Sequence, residues 1–283
     1  MATQAQATNI QYLKTPLTSD VLAIHKNNDT VYNQGTTPPL TVAFSVHALG
    51  ATDRPTAVLS FLKDAKMKTI VFIDGYNLYY GLLRRSPYKW LDLYTLFQHH
   101  VLQNANVLEV RYYTAPVLAR MSDDVDSPKR QRTYLQALRK HQPHKVTIIE
   151  GKMVAATPFS RLVKPIAEAP TVDKVQVYRF EEKQSDVNMA VDMVVSALTN
   201  RCEQIVLCSN DSDLTSAFVS IKQYTPHIRL GLVTPIRSES ARSVSKDLNQ
   251  YADWSKALSQ IHLANSQLPA KIPSTAIIKP DIW

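Results

Sequence analysis

From residue 68 onward, short runs rich in β-branched residues alternate with stretches of helical periodicity. Strands are predicted in TIVFID, VLEVRYYTA, KVTIIEG, QIVLCS and IRLGLV, with VQVYRF (175–180) as an added strand. Helices are predicted in LDLYTLFQHHVLQ, in SPKRQRTYLQALRKH, over 186–199 and from Ser212 onward. Strands that alternate with helices form a mostly parallel sheet, because each crossover helix packs back on the sheet. The pattern therefore predicts an α/β fold, a three-layer sandwich with a mostly parallel sheet.

This alternation divides the chain into three predicted segments. Residues 1–66, rich in Thr, Ala, Asn and Gln, are expected to be a partly ordered N-terminal extension. Residues 67–254 form the α/β domain. Residues 255–283 contain prolines and no sustained periodicity, which predicts a C-terminal tail or an arm that docks on a partner, and Trp283 favours docking. Homo-oligomers are expected to form, if at all, through these two terminal extensions.

Composition limits the classes of protein that the chain can be. The 283 residues suffice for one sizeable domain with extensions. No segment approaches the roughly 20 apolar residues that span a bilayer, and the first residues show no secretory signal, so a cytoplasmic protein without a membrane partner is expected. Cys202 and Cys208 match neither a zinc spacing nor a disulfide framework. The net charge of +8 suits a polyanion such as nucleic acid, although many soluble proteins are equally basic.

Aspartates stand at the ends of two predicted strands and at the start of one helix. Asp74 ends TIVFID, Asp211 and Asp213 follow QIVLCS, and Asp186 begins a helix. In open α/β sheets, ligands bind outside the carboxyl ends of the strands at a topological switch point. Carboxylates about 4 Å apart repel by about 4 kcal/mol per pair at an effective dielectric near 20, and a divalent cation would remove that penalty. Hard oxygen ligands favour Mg²⁺ or Mn²⁺, and such sites cleave or transfer phosphoryl groups.

Each acid also has a simpler explanation. Asp74 before Gly75 could end its strand in a turn, and Asp211 or Ser212 could cap the following helix. Capping accounts for one residue of SNDSDL but not for two acids. The amide of Asn77 could hold either a carboxylate or a phosphate oxygen, and Gly75 would let the backbone approach a ligand closely.

Further polar side chains near the acids extend the predicted site. Asp192 lies about 240° from Asp186 on a helical wheel, so it is expected to be a weaker ligand that is held outside the first set of ligands. Ser209 and Asn210, which belong to the same SNDSDL motif as Asp211, are predicted to contact substrate.

Basic and aromatic residues suggest a path for substrate. RRSPYKW (84–90) combines Arg84 and Arg85 with Tyr88 and Trp90, and arginines and aromatic rings bind phosphates and unpaired bases. A solvated loop anchored in the core by Trp90 explains the same residues equally well. Lys183, close before Asp186, is predicted to contact the scissile phosphate.

Three motifs together resemble the NYN domain family of PIN-like, metal-dependent ribonuclease relatives. They are FIDGYNLYYG (72–81), EKQSDVNMAVDM (182–193) and SNDSDL (209–214), and the resemblance covers roughly residues 68–254. It implies a PIN-like, Rossmannoid NYN domain. It also implies an active site made of Asp74, Asn77, Asp186, Asp211 and Asp213. The metal ligands that it implies are the four aspartates of this set together with Asp192.

The chain departs from the family at three positions. The family usually has glycine where Gln184 and Asn210 stand, and phenylalanine at Leu214. These changes spare the carboxylates and could reshape the pocket. The resemblance implies a nuclease that uses Mg²⁺ or Mn²⁺, acts on single-stranded or structured RNA, and leaves a 5′-phosphate and a 3′-hydroxyl.

Two alternatives to nuclease activity remain at this point. One is a nucleic-acid-binding module that has lost turnover. The other is hydroxylation of a heteroaromatic compound, because chains similar over most of this length carry a pyridine-hydroxylase name. The sequence has no GxGxxG turn after a strand, so it offers no flavin or nicotinamide fingerprint in support of the second alternative.

Overall fold

Six strands of the protein form a central parallel sheet, and four shorter strands lie outside it. The computed structural model describes residues 66–121, 124–237 and 243–283, so the predicted N-terminal extension lies outside the described residues apart from residue 66. The strands in chain order are β1 (Met67–Asp74), β2 (Ala105–Thr114), β3 (Val146–Glu150), β4 (Lys152–Ala156), β5 (Phe159–Arg161), β6 (Lys174–Gln176), β7 (Arg179–Lys183), β8 (Gln204–Cys208), β9 (Arg229–Thr234) and β10 (Trp254–Ala257).

The helices connect these strands, and two of them widen into π-helical turns. The helices are α1 (Gly75–Leu78, followed by the π-helical Tyr79–Leu83), α2 (Leu93–Thr95, followed by the π-helical Leu96–Val101), α3 (Ser127–His141), α4 (Ser185–Leu198), α5 (Thr215–Tyr224), α6 (Lys246–Asn249) and α7 (Gln260–Ala264). Short 3₁₀ turns lie at Ala119–Met121 and Ser212–Leu214.

The order of strands creates a crevice beside β1. The central sheet runs β10-β9-β8-β1-β2-β3, and every pairing in it is parallel. The chain moves from β1 outward to β2 and β3, then returns to β8 on the other side of β1. The direction of winding therefore reverses between β1 and β8, which is the switch point where ligands bind in such sheets. The predicted α/β fold with a parallel sheet is confirmed.

Both faces of the sheet are buried, as the three-layer prediction requires. In β1, Val71 and Ile73 point into one core, while Ile70 and Phe72 point into the other. Helices α1, α2 and α3 pack on the first face, and α4 and α5 pack on the second. Because residues 70–73 of β1 are buried on both faces, they form a continuous apolar run rather than an alternating one.

The segment between β3 and α4 differs from the prediction of one added strand at 175–180. There β6 ends at Gln176 and β7 begins at Arg179, and neither strand joins the central sheet. β7 pairs antiparallel with β4, and β6 pairs antiparallel with β5. This segment therefore forms two small antiparallel ribbons, both located between the end of β3 and the start of α4.

The C-terminal residues also differ from the expected tail or partner-docking arm. Residues 254–257 form β10, and the Trp283 ring lies 6.3 Å from that of Trp90 and 6.0 Å from that of Tyr134. Trp90 donates its indole N–H to the carbonyl of Pro269 at 2.9 Å. The segment covers a face of its own domain because Trp90 and its neighbours present a large apolar surface there. Oligomerisation through the termini stays a prediction.

No helix within the described residues is both long enough and apolar enough to cross a membrane.

Candidate active site

Three aspartates meet at the switch point and are called the acid cluster below. Asp74 is the last residue of β1, Asp211 follows β8, and Asp186 lies in the first turn of α4. Each offers one carboxylate oxygen, and these oxygens all lie within 4.8 Å of one another. Ile73 pairs with Cys208 in the β1–β8 register, so the two strands end side by side and bring Asp74 and Asp211 together.

Asp74 is buried and held by hydrogen bonds from both of its neighbouring segments. One carboxylate oxygen accepts the backbone N–H of Asn77 at 2.8 Å, and the other accepts the hydroxyl of Ser209 at 2.9 Å. Burial raises the pKa of Asp74, those hydrogen bonds lower it, and the charge of Asp211 raises it again, with a net rise. The same carboxylate therefore caps α1 and belongs to the acid cluster, so the two explanations of Asp74 are compatible.

Gly75 serves packing rather than the expected close approach to a ligand. A Cβ atom at this position would lie 2.5 Å from the carbonyl oxygen of Tyr113 and 2.8 Å from the Tyr112 ring. Only a residue without a side chain lets α1 begin against β2 directly after Asp74.

Ser209 aligns two of the three acids. Its side chain is fully buried, and its hydroxyl donates to Asp74 while accepting the backbone N–H of Asp211 at 3.0 Å. Asp211 also accepts the backbone N–H of Asp213 at 3.1 Å, so it caps the turn that follows. Ser209 was expected to contact substrate. In the structure its hydroxyl is instead buried and makes hydrogen bonds only within the chain.

Asn210 is likewise committed to contacts within the chain instead of the expected substrate contact. Its amide donates to the carbonyl of Ser243 at 3.1 Å and accepts the backbone N–H of Ser245 at 2.8 Å. Its own backbone N–H donates to the side-chain oxygen of Asn77 at 3.3 Å. The side chain that replaces the family's glycine thus fastens the segment before α6 to the end of β8.

Asn77 lies between the two acidic strand ends. Its side chain hydrogen-bonds Asp74 and lowers the pKa of that carboxyl, while its amide oxygen accepts from Asn210. These contacts make Asn77 a positioning group for the carboxylate of Asp74.

Asp186 completes the acid cluster from the second core face. Burial, followed by the charges of Asp74, Asp211 and Asp213 in that order, raises its pKa to about 6. Asp213 is exposed and outside the group of three, but it lies close enough to add to the negative potential. A proton would therefore compete with any cation that binds at Asp186 as the pH falls towards 6.

Glu182 is a fourth acid close to the acid cluster, and it was not predicted from the sequence. Burial raises its pKa, and the charges of Asp74 and Asp186 raise it too, although a hydrogen bond from the hydroxyl of Ser185 opposes them. Glu182 is the penultimate residue of the ribbon strand β7, close before α4, and its only signal in the sequence is its place in EKQSD.

Asp192 belongs to a different network and not to the acid cluster. Its carboxylate accepts the hydroxyl of Tyr113 at 2.7 Å and pairs with the guanidinium of Arg111 at 3.1 Å. The rotation between Asp186 and Asp192 along α4 turns the second carboxylate towards β2. The expectation that Asp192 is a metal ligand is corrected accordingly.

Lys183 and Gln184 join β7 to α4 beside the site. Lys183 is exposed and pairs with Glu181 at 2.7 Å, so its expected contact with a phosphate requires the ammonium to leave that partner. Gln184 has φ of 78°, in the left-handed region. Glycine adopts this conformation at little cost, which explains in physical terms why the family prefers glycine there.

The basic loop after α1 has features of both predicted roles, a loop anchored in the core and a path for substrate. Trp90 is fully buried and anchors the loop in the core, whereas Arg84 and Arg85 are exposed. The guanidinium of Arg84 lies 5.4 Å from the centroid of the Tyr80 ring.

The donor set fits a hard divalent cation. All donors are carboxylate oxygens, they converge from three separate elements, and two of them have a raised pKa because they are crowded and partly desolvated. A cation of the Mg²⁺ or Mn²⁺ class would relieve that crowding.

Comparisons with known proteins give one family match and two similar proteins. The profile of the NYN domain matches residues 68–255. The chain is 34% identical over 242 residues to 6-hydroxy-3-succinoylpyridine 3-monooxygenase HspA of Pseudomonas putida, covering 78% of this chain and 77% of that protein. A crystal structure of a protein of unknown function from Vibrio parahaemolyticus aligns with 20% identity and a TM-score of 0.43, over 72% of this chain and 98% of that one. The matched region contains the whole acid cluster, and the chain belongs to the NYN domain family, whose fold is of the nuclease type.

Proposed function

We propose that the protein is a nuclease dependent on Mg²⁺ or Mn²⁺ that hydrolyses phosphodiester bonds in RNA. The observation that carries the proposal is the convergence of three carboxylates within 4.8 Å at the switch point of the sheet. Membership of the NYN family, which suggests interaction with nucleic acid, and the net charge of +8 support it.

The residues of the site divide into ligands and positioning groups. Asp74, Asp186 and Asp211 would hold the cation, which when bound neutralises phosphate charge and makes a water more acidic. Ser209 and Asn77 fix the ligand geometry through the hydrogen bonds described above. This fixed arrangement favours catalysis because the charges need no rearrangement as the reaction proceeds.

Proton transfer requires a further group. Glu182 lies near the acid cluster without being one of the three ligands, and its raised pKa suits a carboxylate that accepts a proton from the attacking water. Attack of that water on phosphorus would break the bond to the 3′-oxygen, which takes a proton from a solvent water. The products would be a 5′-phosphate and a 3′-hydroxyl.

The direct test is cleavage of end-labelled single-stranded RNA by the purified full chain with Mg²⁺, Mn²⁺ or EDTA. We expect cleavage with metal, none with EDTA, and none with Asp74→Asn or Asp211→Asn. Asp192→Asn is the matched control, because this acid lies outside the cluster, and it should retain cleavage. Cleavage close to wild type by both cluster variants would remove these acids from the mechanism.

A second candidate function is hydroxylation of a heteroaromatic compound, favoured by the identity of 34% to the named monooxygenase. It predicts consumption of a reduced nicotinamide or flavin and oxygen in the presence of a hydroxypyridine. The same preparations should be assayed for both reactions. RNA binding without either reaction would identify a non-catalytic binding module.

A further inference from the structure

Three tyrosines follow the acid cluster directly and form a group of their own, called the tyrosine cluster below. Tyr76 lies on α1, and Tyr79 and Tyr80 lie on the π-helical turn after it. The Tyr80 ring lies 5.1 Å from the Tyr76 ring and 5.2 Å from the Tyr79 ring. Tyr80 is 49% exposed and Tyr79 is 37% exposed, so large aromatic surfaces remain open to water.

The tyrosine cluster is next to both acidic and basic groups. Tyr76 is two residues from Asp74, and it is close enough to Glu182 for that charge to raise the pKa of its hydroxyl. On the other side, Arg84 lies over the Tyr80 ring at 5.4 Å. The exposed rings therefore lie between the acid cluster, which would hold a cation, and an arginine that can pair with a phosphate.

The tyrosine cluster is also rigidly seated. The same helix buries Leu78, Leu82 and Leu83 in the core. A Cβ atom on Gly81 would lie 2.1 Å from the carbonyl oxygen of Pro235, so the helix presses against the chain that leaves β9. Rings held in place before a ligand arrives lose little conformational freedom on binding.

We propose that the tyrosine cluster stacks an unpaired base of the RNA strand next to the phosphodiester at the acid cluster, with Arg84 on a neighbouring phosphate. This inference rests on the proposed nuclease function and adds a substrate class to it, namely single-stranded rather than fully paired RNA. Every base has a face that can stack on a tyrosine, so the contact selects strand state and not sequence. In a duplex both faces of each base are already covered.

The experiment compares variants at Tyr80, the central ring. Tyr80→Leu removes the aromatic face, and Tyr80→Phe keeps it and removes only the hydroxyl. Tyr224→Ala is the control, because this tyrosine is 65% exposed and ends α5, at the opposite edge of the sheet from the acid cluster. Affinity is measured by anisotropy of labelled oligouridylate and of a fully paired duplex, with Ca²⁺ in place of Mg²⁺ or Mn²⁺ so that a cation offsets the charge of the acid cluster while cleavage is suppressed.

We expect Tyr80→Leu to weaken oligouridylate binding by about tenfold, with Tyr80→Phe and Tyr224→Ala close to wild type. Duplex affinity should be the same in all four proteins. In cleavage with Mn²⁺, Tyr80→Leu should raise KM about tenfold and change kcat little. Melting temperatures of the variants check that each one is folded.

The outcomes separate this inference from the proposed function. Unchanged oligouridylate binding by Tyr80→Leu, or an equal loss for the duplex, would overturn the stacking inference even if the wild type cleaves RNA. Absence of cleavage by the wild type, together with binding that depends on the Tyr80 ring, would overturn the nuclease proposal and leave stacking supported. Binding of a hydroxypyridine that depends on Tyr80, without RNA binding, would overturn the RNA assignment of the cluster.

Discussion

Replacing Asp74 by asparagine tests the acid cluster most directly, because it removes a charge and keeps the side-chain volume. The asparagine oxygen can still accept the backbone N–H of Asn77. Its amide can donate to the Ser209 hydroxyl, which also accepts from Asp211. Both hydrogen bonds survive in neutral form, so the fold should be retained.

The expected change in stability of Asp74→Asn follows from the distances between the carboxylate oxygens of the acid cluster. Two carboxylates with oxygens within 4.8 Å repel by about 3 kcal/mol at an effective dielectric near 20 and by about 1 kcal/mol in water. The repulsion between Asp74 and Asp211 is close to the higher figure because both carboxylates are at least partly buried. The repulsion between Asp74 and Asp186 is close to the lower figure because Asp186 is exposed. Changing two charge-assisted hydrogen bonds to neutral ones costs about 1 kcal/mol each. The metal-free Asp74→Asn protein should therefore be more stable than wild type by about 1–2 kcal/mol.

The order of stabilities should reverse when metal is added. In EDTA the melting temperature of Asp74→Asn should exceed that of wild type by about 2–6 °C. At a hundredfold excess of Mn²⁺ over its dissociation constant, wild type gains about 2.7 kcal/mol, whereas the variant should gain little. Calorimetric melts of both proteins under both conditions measure this crossing.

A control variant separates the effect of the cluster from a general effect of removing an acid. Asp192→Asn loses a partner of Arg111 and weakens the hydrogen bond from Tyr113, so it should be less stable than wild type with or without metal. Its response to Mn²⁺ should equal that of wild type. If Asp74→Asn is less stable in EDTA and responds normally to Mn²⁺, the reasoning about repulsion in the cluster is refuted.

Four further predictions concern other parts of the protein. The folded-state pKa of Asp186, about 6 against 3.8 for the free side chain, means that the folded chain binds more protons. As the pH rises from about 5 to about 7, the stability of the metal-free protein should therefore fall and its affinity for Mn²⁺ should rise. Melting curves across that range would contradict this assignment if neither trend were seen. Gln184→Gly should stabilise the protein by about 0.5–1 kcal/mol in urea unfolding, since φ is 78° there, and a loss of stability would contradict the assigned strain. Trp283→Ala should cost about 1–3 kcal/mol in the same assay because its ring packs on the core, and no change would mean that the C-terminal contacts are not stabilising. Replacing Arg84 and Arg85 by alanine should reduce the slope of log K against log salt for RNA by up to about two; an unchanged slope would place both arginines outside the RNA path.

The sequence predicts the central fold because its main strands are buried on both faces. Residues 70–73 of β1 are buried on both faces and all four are apolar, and such runs are visible without a structure. By contrast, β10 is the four-residue WSKA, three of whose residues are exposed, and its place in the sheet depends on pairing with β9. Edge strands of this kind give no periodic signal.

Some residues of the candidate site could likewise be predicted from the sequence, and others could not. Asp74 and Asp211 could be predicted to lie close together because both follow strands whose carboxyl ends share one edge of the sheet. The enclosed hydroxyl of Ser209 and the contacts of Asn210 could not be predicted, because a short polar residue beside an acid can face either solvent or the chain. Glu182 was missed because its proximity depends on the ribbon strand β7, which returns to the site from outside the sheet.

The hydrogen-bond donors at the switch point bear on the choice between the two candidate reactions. In dinucleotide-binding folds, backbone N–H groups after the first strand receive a pyrophosphate. Here the N–H of Asn77 donates to Asp74, and that of Asp213 donates to Asp211. The crevice thus presents negative charge where a cofactor phosphate would bind, and a phosphate can be held there favourably only with a cation between it and the acids. Melts of metal-stripped protein should accordingly show stabilisation by Mn²⁺ and none by NADH or a flavin. Stabilisation by NADH or a flavin that persists in Asp74→Asn, without any response to Mn²⁺, would instead favour oxidation chemistry with a cofactor bound away from this crevice.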